Sequence, residues 1–311
     1  METNKYPFNK SKIIQGDCLE KMKLIPDGSI DMILADLPYG TTACKWDTII
    51  PFEPLWEQYN RIIKDNGAIV LFGNEPFSSH LRISNIKNYK YDIIWQKEKP
   101  TNPFTIKKQF GKVHENISIF YKKTPTYNPQ MKQRLNVTNP KPMKGDLNVD
   151  ETNVISGIYK HSKDYNPNLV YPISVQLFNR DSKKGVKKLH PTQKPLLLCE
   201  TLIKTYTNEG DIILDNVAGS GTTGVACINL KRDFILIEKE LKYYEVIKKR
   251  IINLFTNYGI NSEELLKNFF HNLKISNRET GTGDHSKSPP NFFQFFPHPP
   301  VKRSSRPNKK S

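Results

Sequence analysis

Short apolar runs alternate along the chain with longer segments whose apolar residues recur at helical spacing. The runs predict buried strands at residues 12–15, 30–35, 68–72, 91–95, 113–121, 212–215 and 231–238. Helical spacing and end signals predict helices at residues 18–24, 52–64, 77–83, 196–206, 241–255 and 262–275. Strands that alternate with helices in this way indicate an α/β fold with a doubly wound, mostly parallel sheet.

A glycine-rich segment follows the predicted strand that ends at Asp215. Residues 216–224 read NVAGSGTTG, and a helix is predicted from residue 225. A strand, a glycine-rich turn and a helix form the nucleotide-cofactor turn of open α/β sheets, where the helix N-terminus favours a negative group such as a cofactor carboxylate. Glu238 ends the next predicted strand, at the position where an acidic residue commonly binds ribose hydroxyls.

Four residues after the predicted strand at 30–35 form a second candidate site: Asp36, Leu37, Pro38 and Tyr39. The Asp36 carboxylate can accept hydrogen bonds, Pro38 restricts the backbone, and Tyr39 offers a flat ring for stacking. Together they suit a planar ring that carries an amino group. On these residues alone, a strand-to-loop turn with a solvated aspartate is the simpler interpretation.

These two segments, with Gly16-Asp17 and residues 190–195 (HPTQKP), resemble the amino-methylating DNA methyltransferases in the permuted arrangement called the β class. In that family an Asp-Pro-Pro-Tyr motif binds the target amine and precedes the glycine-rich loop that binds S-adenosylmethionine. The four motifs in this order resemble the family over about residues 13–255, apart from a variable middle. Two departures are Leu37 in place of the first proline and Asn216-Val217 in place of Pro-Phe.

The resemblance implies a Rossmann-like fold and methyl transfer from S-adenosylmethionine to the exocyclic amine of a flipped base in double-stranded DNA. Adenine N6 is favoured, because an aspartate opens the motif where cytosine-N4 enzymes more often carry serine. By the same resemblance the catalytic residues are Asp36, Leu37, Pro38 and Tyr39. The cofactor would be bound by Asp17, Thr192, Asp215, Ala218, Gly219, Ser220, Gly221, Thr222, Thr223 and Glu238. This assignment requires the strand tips at Asp36 and Asp215 to open into one cavity.

Other activities remain open at this point. Methylation of cytosine N4 is one, and methylation of RNA or protein on the same scaffold is another. A DNA-binding homologue without catalysis is a third, suggested by the two departures at Leu37 and Asn216-Val217. Covalent methylation at cytosine C5 is excluded, because that chemistry uses a cysteine after a proline and no cysteine follows a proline here. No metal site is predicted, since His114-Glu115 has no second histidine at helical spacing.

The net charge of +16 is unevenly distributed. Residues 97–190 carry 18 basic and 7 acidic groups, and residues 276–311 carry 7 and 2, while the rest of the chain is balanced. A basic middle and a basic tail suit a polyanionic partner such as DNA. We therefore divide the chain into a catalytic half (1–121), a target-recognition insertion (122–189), a cofactor-binding half (190–275) and a disordered basic tail (276–311).

The remaining expectations concern location and partners. The sequence has no signal-peptide pattern and no long apolar run, and its four cysteines lie far apart, which predicts a reduced cytoplasmic setting without membrane contact. The resemblance leaves open a cognate restriction endonuclease as a partner. It also leaves open whether the enzyme is a monomer or a homodimer.

Overall fold

The computed structural model describes residues 8, 10–40, 47–134, 166, 168–179 and 193–257. The strands within these ranges are β1 (Lys12–Gln15), β2 (Ile30–Ala35), β3 (Ile63–Gly73), β4 (Tyr89–Gln96), β5 (His114–Phe120), β6 (Lys132–Gln133), β7 (Leu169–Val170), β8 (Val175–Leu177), β9 (Ile212–Asp215) and β10 (Asp233–Glu238). The helices are α1 (Cys18–Met22), α2 (Phe52–Ile62), α3 (Phe77–Ser84), α4 (Leu196–Tyr206), α5 (Thr222–Asn229) and α6 (Leu241–Asn257).

The strand order identifies where a ligand site belongs. Eight strands form one sheet in the order β1-β10-β9-β2-β3-β5-β4-β8, and β6 pairs with β7 in a separate antiparallel ribbon. In the main sheet only the two pairs made by β5 are antiparallel. The chain leaves β2 toward β3 on one side and leaves β9 toward β10 on the other. The β2–β9 boundary is therefore a topological switch point, beyond which open α/β sheets bind their ligands.

Side chains of the central strands alternate between two apolar layers. Met32 and Leu34 of β2 pack on the face covered by α4, α5 and α6, whereas Ile33 and Ala35 pack on the face covered by α1, α2 and α3. β3 repeats this alternation, with Val70 on the first face and its neighbours Ile69 and Leu71 on the second. Burial on both faces explains why these strands read as unbroken apolar runs. The predicted Rossmann-like, doubly wound fold is confirmed.

Most predicted elements are present, and the starts of two of them differ from the prediction by three or more residues. β3 begins at Ile63 instead of residue 68, because α2 ends at Ile62 and Ile63 pairs directly with Ile30. The predicted helix includes residue 64, but this residue belongs to β3, and Lys64 Nζ lies 2.5 Å from Asp31 Oδ1. α5 begins at Thr222, three residues early, because Gly221 adopts a left-handed conformation immediately before it.

Some predictions fall outside the described residues. The helix at 262–275 and the tail at 276–311 are among them. Of the predicted insertion at 122–189, only the parts in the described ranges can be placed, and they include β6, β7 and β8. β8 joins the main sheet beside β4. The four-part division of the chain stays a prediction.

Candidate active site

The tips of β2 and β9 open into one cavity of about 690 Å³. The two strands pair in parallel through Met32–Ile213 and Ile33–Leu214, so their carboxyl ends lie side by side. Asp36 follows β2, Asp215 ends β9, and both side chains line the cavity. Pockets for small-molecule ligands have volumes in this range. The shared cavity predicted from the sequence is therefore present.

The Asp36 carboxylate lies between two donors. The Tyr39 hydroxyl donates to Asp36 Oδ1 at 2.5 Å, and Lys194 Nζ lies 2.7 Å from Asp36 Oδ2. The Asp36 side chain keeps 22% of its surface exposed, in a position that lines the cavity. Each carboxylate oxygen has more than one lone pair, so Asp36 can accept a further N–H group while it keeps both contacts.

Four charged side chains of alternating sign continue from Asp36 into the protein. Lys194 Nζ is also 3.1 Å from Glu115 Oε2, and Lys97 Nζ donates to Glu115 Oε1. Asp36, Lys194, Glu115 and Lys97 together carry no net charge, and the Lys194 and Lys97 side chains are buried. Buried charges persist in proteins when they are paired in this way. We call these four residues the charge chain.

The charge chain sets the ionisation of Asp36. Burial raises the pKa of the Asp36 carboxyl above its ordinary value, the Lys194 ammonium opposes that rise, and Glu115 adds to it. Burial alone would lower the pKa of Lys194, but Asp36 and Glu115 outweigh it and raise the pKa. For Glu115, burial acts to raise the pKa, but the two lysines prevail and lower it. Lys194 is therefore a stable cation beside the predicted catalytic carboxylate.

Aromatic rings surround the Lys194 ammonium. Its Nζ lies 5.0 Å from the ring centroid of Phe72, 5.8 Å from that of Tyr39 and 6.0 Å from that of Trp95. These are cation–π distances, and all three rings line the cavity. The Tyr39 ring also packs against Phe77, with centroids 5.0 Å apart. The predicted stacking of Tyr39 on a target base stays a prediction, and the flat walls suit a planar ligand.

The other predicted members of the catalytic motif lie where β2 leaves the sheet. Pro38 lines the cavity, and so does Leu37. The Leu37 side chain is only 3% exposed, because it packs in the apolar layer under α2 and α3. Leu37 thus replaces the family's proline with an apolar anchor. The backbone carbonyls of this turn remain candidates to accept the second N–H of an amine.

The glycine-rich loop is held by hydrogen bonds to β10. Gly219 N donates to Glu238 Oε2 at 2.7 Å, and Ala218 N donates to the Ile237 carbonyl at 2.9 Å. Gly219 and Gly221 have positive φ angles of 54° and 74°, which favour glycine. At Gly221 an added Cβ would also approach Ile247 Cγ1 to 3.1 Å. The backbone of the loop can therefore approach a ligand closely at the start of α5.

Side chains from three elements fix the rest of the loop. Thr223 Oγ1 donates to Asp215 Oδ2 at 2.6 Å, and Tyr59 of α2 donates to Asn216 Oδ1 at 2.6 Å. Arg250 of α6 donates to the Ser220 carbonyl at 3.0 Å and to Thr222 Oγ1 at 3.1 Å. The departure at Asn216 thus provides a tie to α2. Burial raises the pKa of Asp215 to about 7, with its hydrogen bonds opposing the rise.

Two further acidic side chains, those of Asp17 and Glu238, line the cavity. Asp17 caps α1 by accepting from Leu19 N at 3.0 Å and also lines the cavity, so capping and ligand contact are compatible. Glu238 Oε1 accepts from Glu240 N at 2.8 Å, and burial raises the pKa of its carboxyl. Positive-φ glycines, a helix start and these two carboxylates suit a cofactor with a nucleoside and an amino-acid end. Thr192, the remaining predicted cofactor ligand, lies outside the described residues.

The sequence interpretation missed part of the site. Lys194 enters the sequence prediction only as part of the motif at residues 190–195. Glu115 enters it only in the histidine–glutamate pair for which no metal site is predicted. Arg250 is not among the predicted site residues. One signal was available: Glu115 stands in an apolar strand where an unpaired carboxylate would be costly, so a buried cation had to face it. Nothing in the local sequence indicates that Arg250 reaches the glycine loop, because that contact spans 30 residues.

Comparison with known proteins identifies the family. The model of the N6/N4 methyltransferase family, described as DNA methylase, matches residues 30–249. The chain therefore belongs to this DNA methylase family. The type II methyltransferase M.HinfI of Haemophilus influenzae is 30% identical over 276 residues, which cover 79% of this chain and 69% of the relative. The DNA adenine methyltransferase YhdJ of Escherichia coli K12 is 29% identical over 301 residues, 90% of this chain and 92% of the relative.

Solved structures agree in fold. The M1.HpyAVI–SAM complex superposes with a TM-score of 0.53 at 27% identity, covering 77% of this chain and 98% of that one. The cytosine-N4-specific PvuII methyltransferase has a TM-score of 0.56 at 18% identity, covering 82% and 90%, and supports the fold alone. S-adenosylmethionine, the cofactor predicted from the sequence, is confirmed.

Within the ranges given above, no three or more histidine, cysteine, aspartate or glutamate side chains group as they would around a metal ion. Across the same ranges, no helix has the length and apolar character needed to cross a membrane.

Proposed function

We propose that this chain methylates N6 of adenine in double-stranded DNA, with Asp36, Leu37, Pro38 and Tyr39 as the amine site. The observation that carries the proposal is the shared cavity, in which the Asp36 carboxylate and the glycine loop face the same space. The adenine assignment is supported by the aspartate that opens the motif and by the similarity to YhdJ, a DNA adenine methyltransferase, over 90% of this chain.

The exocyclic amine of adenine is a poor nucleophile, because its lone pair is conjugated with the ring. Asp36 accepts one N–H of the amine, and the carbonyl of Leu37 or Pro38 accepts the other, which localises the lone pair on nitrogen. Tyr39 provides the ring on which the base stacks after leaving the duplex. Positioning of this kind supplies much of the rate acceleration of such transfers. S-adenosylmethionine supplies the methyl group when bound.

Asp36 need not be a strong base. The methylated nitrogen is strongly acidic and loses its proton readily, and Asp36 is the adjacent acceptor. Because burial raises its pKa, the carboxyl holds a proton more readily than an exposed aspartate would. Lys194 opposes that rise, so it favours the carboxylate form that accepts the amine N–H.

Cofactor binding is proposed to use the loop and the two flanking carboxylates. Glu238 is assigned to the ribose hydroxyls, Asp17 to the adenine amine, and the start of α5 to the methionine carboxylate. The remaining cofactor contacts are assigned to Asp215, Thr192 and the loop residues Ala218, Gly219, Ser220, Gly221, Thr222 and Thr223. DNA contact is assigned to the basic region at 97–190, with 122–189 as the target-recognition insertion.

The direct test is to express the protein, digest the host DNA and identify the modified nucleoside. N6-methyladenine is expected, and N4-methylcytosine without it would overturn the base assignment. Asp36→Ala should abolish transfer while calorimetry still shows cofactor binding. Asp65→Ala is the matched control, because Asp65 is an exposed surface residue paired with Lys123. Normal turnover by Asp36→Ala would contradict the amine site, and competition with RNA would reveal a different substrate.

A further inference from the structure

The connection between β4 and β5 carries two fully exposed aromatic side chains. Phe104 is 98% exposed and Phe110 is 99% exposed, higher fractions than for any other large apolar residue in the described ranges. Exposed aromatic rings that pack on nothing in their own chain commonly mark an interaction site. We call residues 100–112 the β4–β5 loop.

The β4–β5 loop is an ordered structure despite these exposed rings. Lys97 N donates to the Val113 carbonyl at 2.6 Å, and Thr101 N donates to the Lys112 carbonyl at 2.9 Å, which closes its neck. Asn102 braces the inside, accepting from Lys112 N at 2.7 Å and donating to the Phe110 carbonyl at 3.2 Å. The loop therefore presents its phenylalanines on a braced backbone.

A small apolar contact within the loop excludes the two phenylalanines. Gly111 lies so close to Ile106 and Pro100 that an added Cβ would approach them to 3.0 Å and 3.1 Å. Ile106 and Pro100 therefore meet at Gly111, although Ile106 stays 46% exposed, and the almost fully exposed rings of Phe104 and Phe110 take no part in this contact. Phe104 and Phe110 have no part in holding the loop together, so substitution there leaves its fold intact.

The loop begins at the active-site cavity. Lys97 and Thr101 both line the cavity, and Phe104 is three residues beyond Thr101. Three extended residues span at most about 10 Å, so Phe104 lies within about that distance of a residue that lines the cavity. An extruded base must enter this cavity to reach Asp36.

The charge of the loop indicates its partner. Residues 100–112 contain three lysines, at 107, 108 and 112, and no acidic residue. Lysines pair with phosphates in a sequence-independent manner, while aromatic rings stack on bases or wedge between base steps. Duplex DNA presents both a row of phosphates and stacked bases, which match these two features. Duplex DNA is the partner of complementary chemistry.

We propose that the β4–β5 loop enters the duplex beside the target nucleotide, with Phe104 and Phe110 stacking in the space that the extruded base vacates. The proposal rests on the proposed function, since it concerns how DNA is opened for the same site. The lysines hold the loop on the backbone, and the aromatic rings compensate for the stacking lost on extrusion.

The test compares two DNA substrates with the wild type and with a double phenylalanine variant. Once the methylated site is known, kcat/KM is measured on a duplex with a paired target adenine and on one with that adenine mispaired. A mispaired base is easier to extrude. The Phe104→Ala/Phe110→Ala variant should lose about tenfold or more on the paired duplex and no more than about threefold on the mispaired one. When 2-aminopurine replaces the target adenine, its fluorescence reports how much of the base is extruded. This signal should be smaller with the variant than with the wild type.

Two controls separate stacking from charge and from surface change. Lys107→Ala/Lys108→Ala should lose activity equally on both duplexes and lower the slope of log affinity against log salt by about 2. Ile83→Ala removes an exposed apolar residue of α3, 72% exposed, and should behave as wild type. If the double phenylalanine variant loses activity equally on both duplexes, or loses none, the proposed insertion of the β4–β5 loop into the duplex is disproved. If the wild type methylates no DNA, the proposed function fails instead.

Discussion

Lys194 Nζ lies 2.7 Å from Asp36 Oδ2, at the carboxylate predicted to bind the target amine. The lysine comes from the segment just before α4, and the aspartate follows β2, so residues 158 positions apart are joined at the switch point. An ammonium and an exocyclic amine both present N–H donors. The carboxylate is thus oriented by an internal donor before any base arrives, which limits the reorganisation needed when the base binds.

Lys194→Met should move the acid limb of the pH profile of kcat/KM to higher pH. The ammonium lowers the pKa of Asp36 against the effect of burial, so its loss raises that pKa and leaves less carboxylate at neutral pH. Activity should fall by about tenfold or more at the acid end of the range, with partial recovery toward the alkaline end. Steady-state methylation across pH 5.5–9 measures the shift.

A surface lysine provides the control for this substitution. Lys123 is 71% exposed and pairs with Asp65, so Lys123→Met should leave both the pH profile and the melting temperature unchanged. Lys194→Met should also be destabilising, by roughly 3–5 kcal/mol, because it leaves buried carboxylates without their cation. An unshifted acid limb in Lys194→Met would show that Lys194 supports the fold alone.

Glu115→Gln should move the same limb in the opposite direction. Glu115 raises the pKa of Asp36, and it also shares the Lys194 ammonium with Asp36. Removing its charge lowers the pKa of Asp36, so the carboxylate persists to lower pH. The paired experiment is informative, because a general loss of stability would not displace the two profiles in opposite directions. Shifts of the same sign would contradict the charge chain.

Glu238→Gln should weaken cofactor binding by about tenfold, as expected for the loss of a charged hydrogen-bond acceptor. Each Glu238 oxygen already accepts one backbone N–H, from Gly219 and Glu240, and retains a lone pair for a ribose hydroxyl. Calorimetry with S-adenosylmethionine measures the affinity. Glu209→Gln is the matched control, since Glu209 is 65% exposed and pairs only loosely with Lys231, at 3.7 Å. If Glu238→Gln and Glu209→Gln bind S-adenosylmethionine with equal affinity, Glu238 does not contact the cofactor.

The sequence was sufficient wherever one local pattern determined the structure. β2, β9 and α4 have their predicted bounds, because apolar period and breaker residues define them without help from distant parts of the chain. The start of β3 was wrong, because its polar residues are ordered by pairing with Ile30 and by Lys64–Asp31. The charge chain was missed for the same reason, since its members come from four parts of the chain that meet only in the folded protein.

Asp215→Asn should stabilise the folded protein more at pH 8 than at pH 5. Burial raises the pKa of Asp215 from 3.8 to about 7 in the folded state, so between these values the folded state binds more protons than the unfolded state. The stability that wild-type Asp215 contributes is therefore present below pH 4 and is lost as the pH rises through 7. Asparagine carries no charge at any of these pH values, so the difference in unfolding free energy between variant and wild type should grow with pH, by up to about 4 kcal/mol.

Urea denaturation of the cofactor-free protein at pH 5, 6, 7 and 8 measures that difference. Asparagine also alters the hydrogen bond from Thr223, but this adds an offset of about 1 kcal/mol that does not vary with pH. Asp65→Asn is the control of opposite sign. The hydrogen bond from Lys123 lowers the pKa of the Asp65 carboxyl, so the charged form of Asp65 favours folding. Removing that charge should therefore not stabilise the protein at high pH. The contrary result would be plots of unfolding free energy against pH that stay parallel for Asp215→Asn and wild type. They would mean that Asp215 is ionised throughout, with its charge stabilised by Thr223 and the Val217 amide.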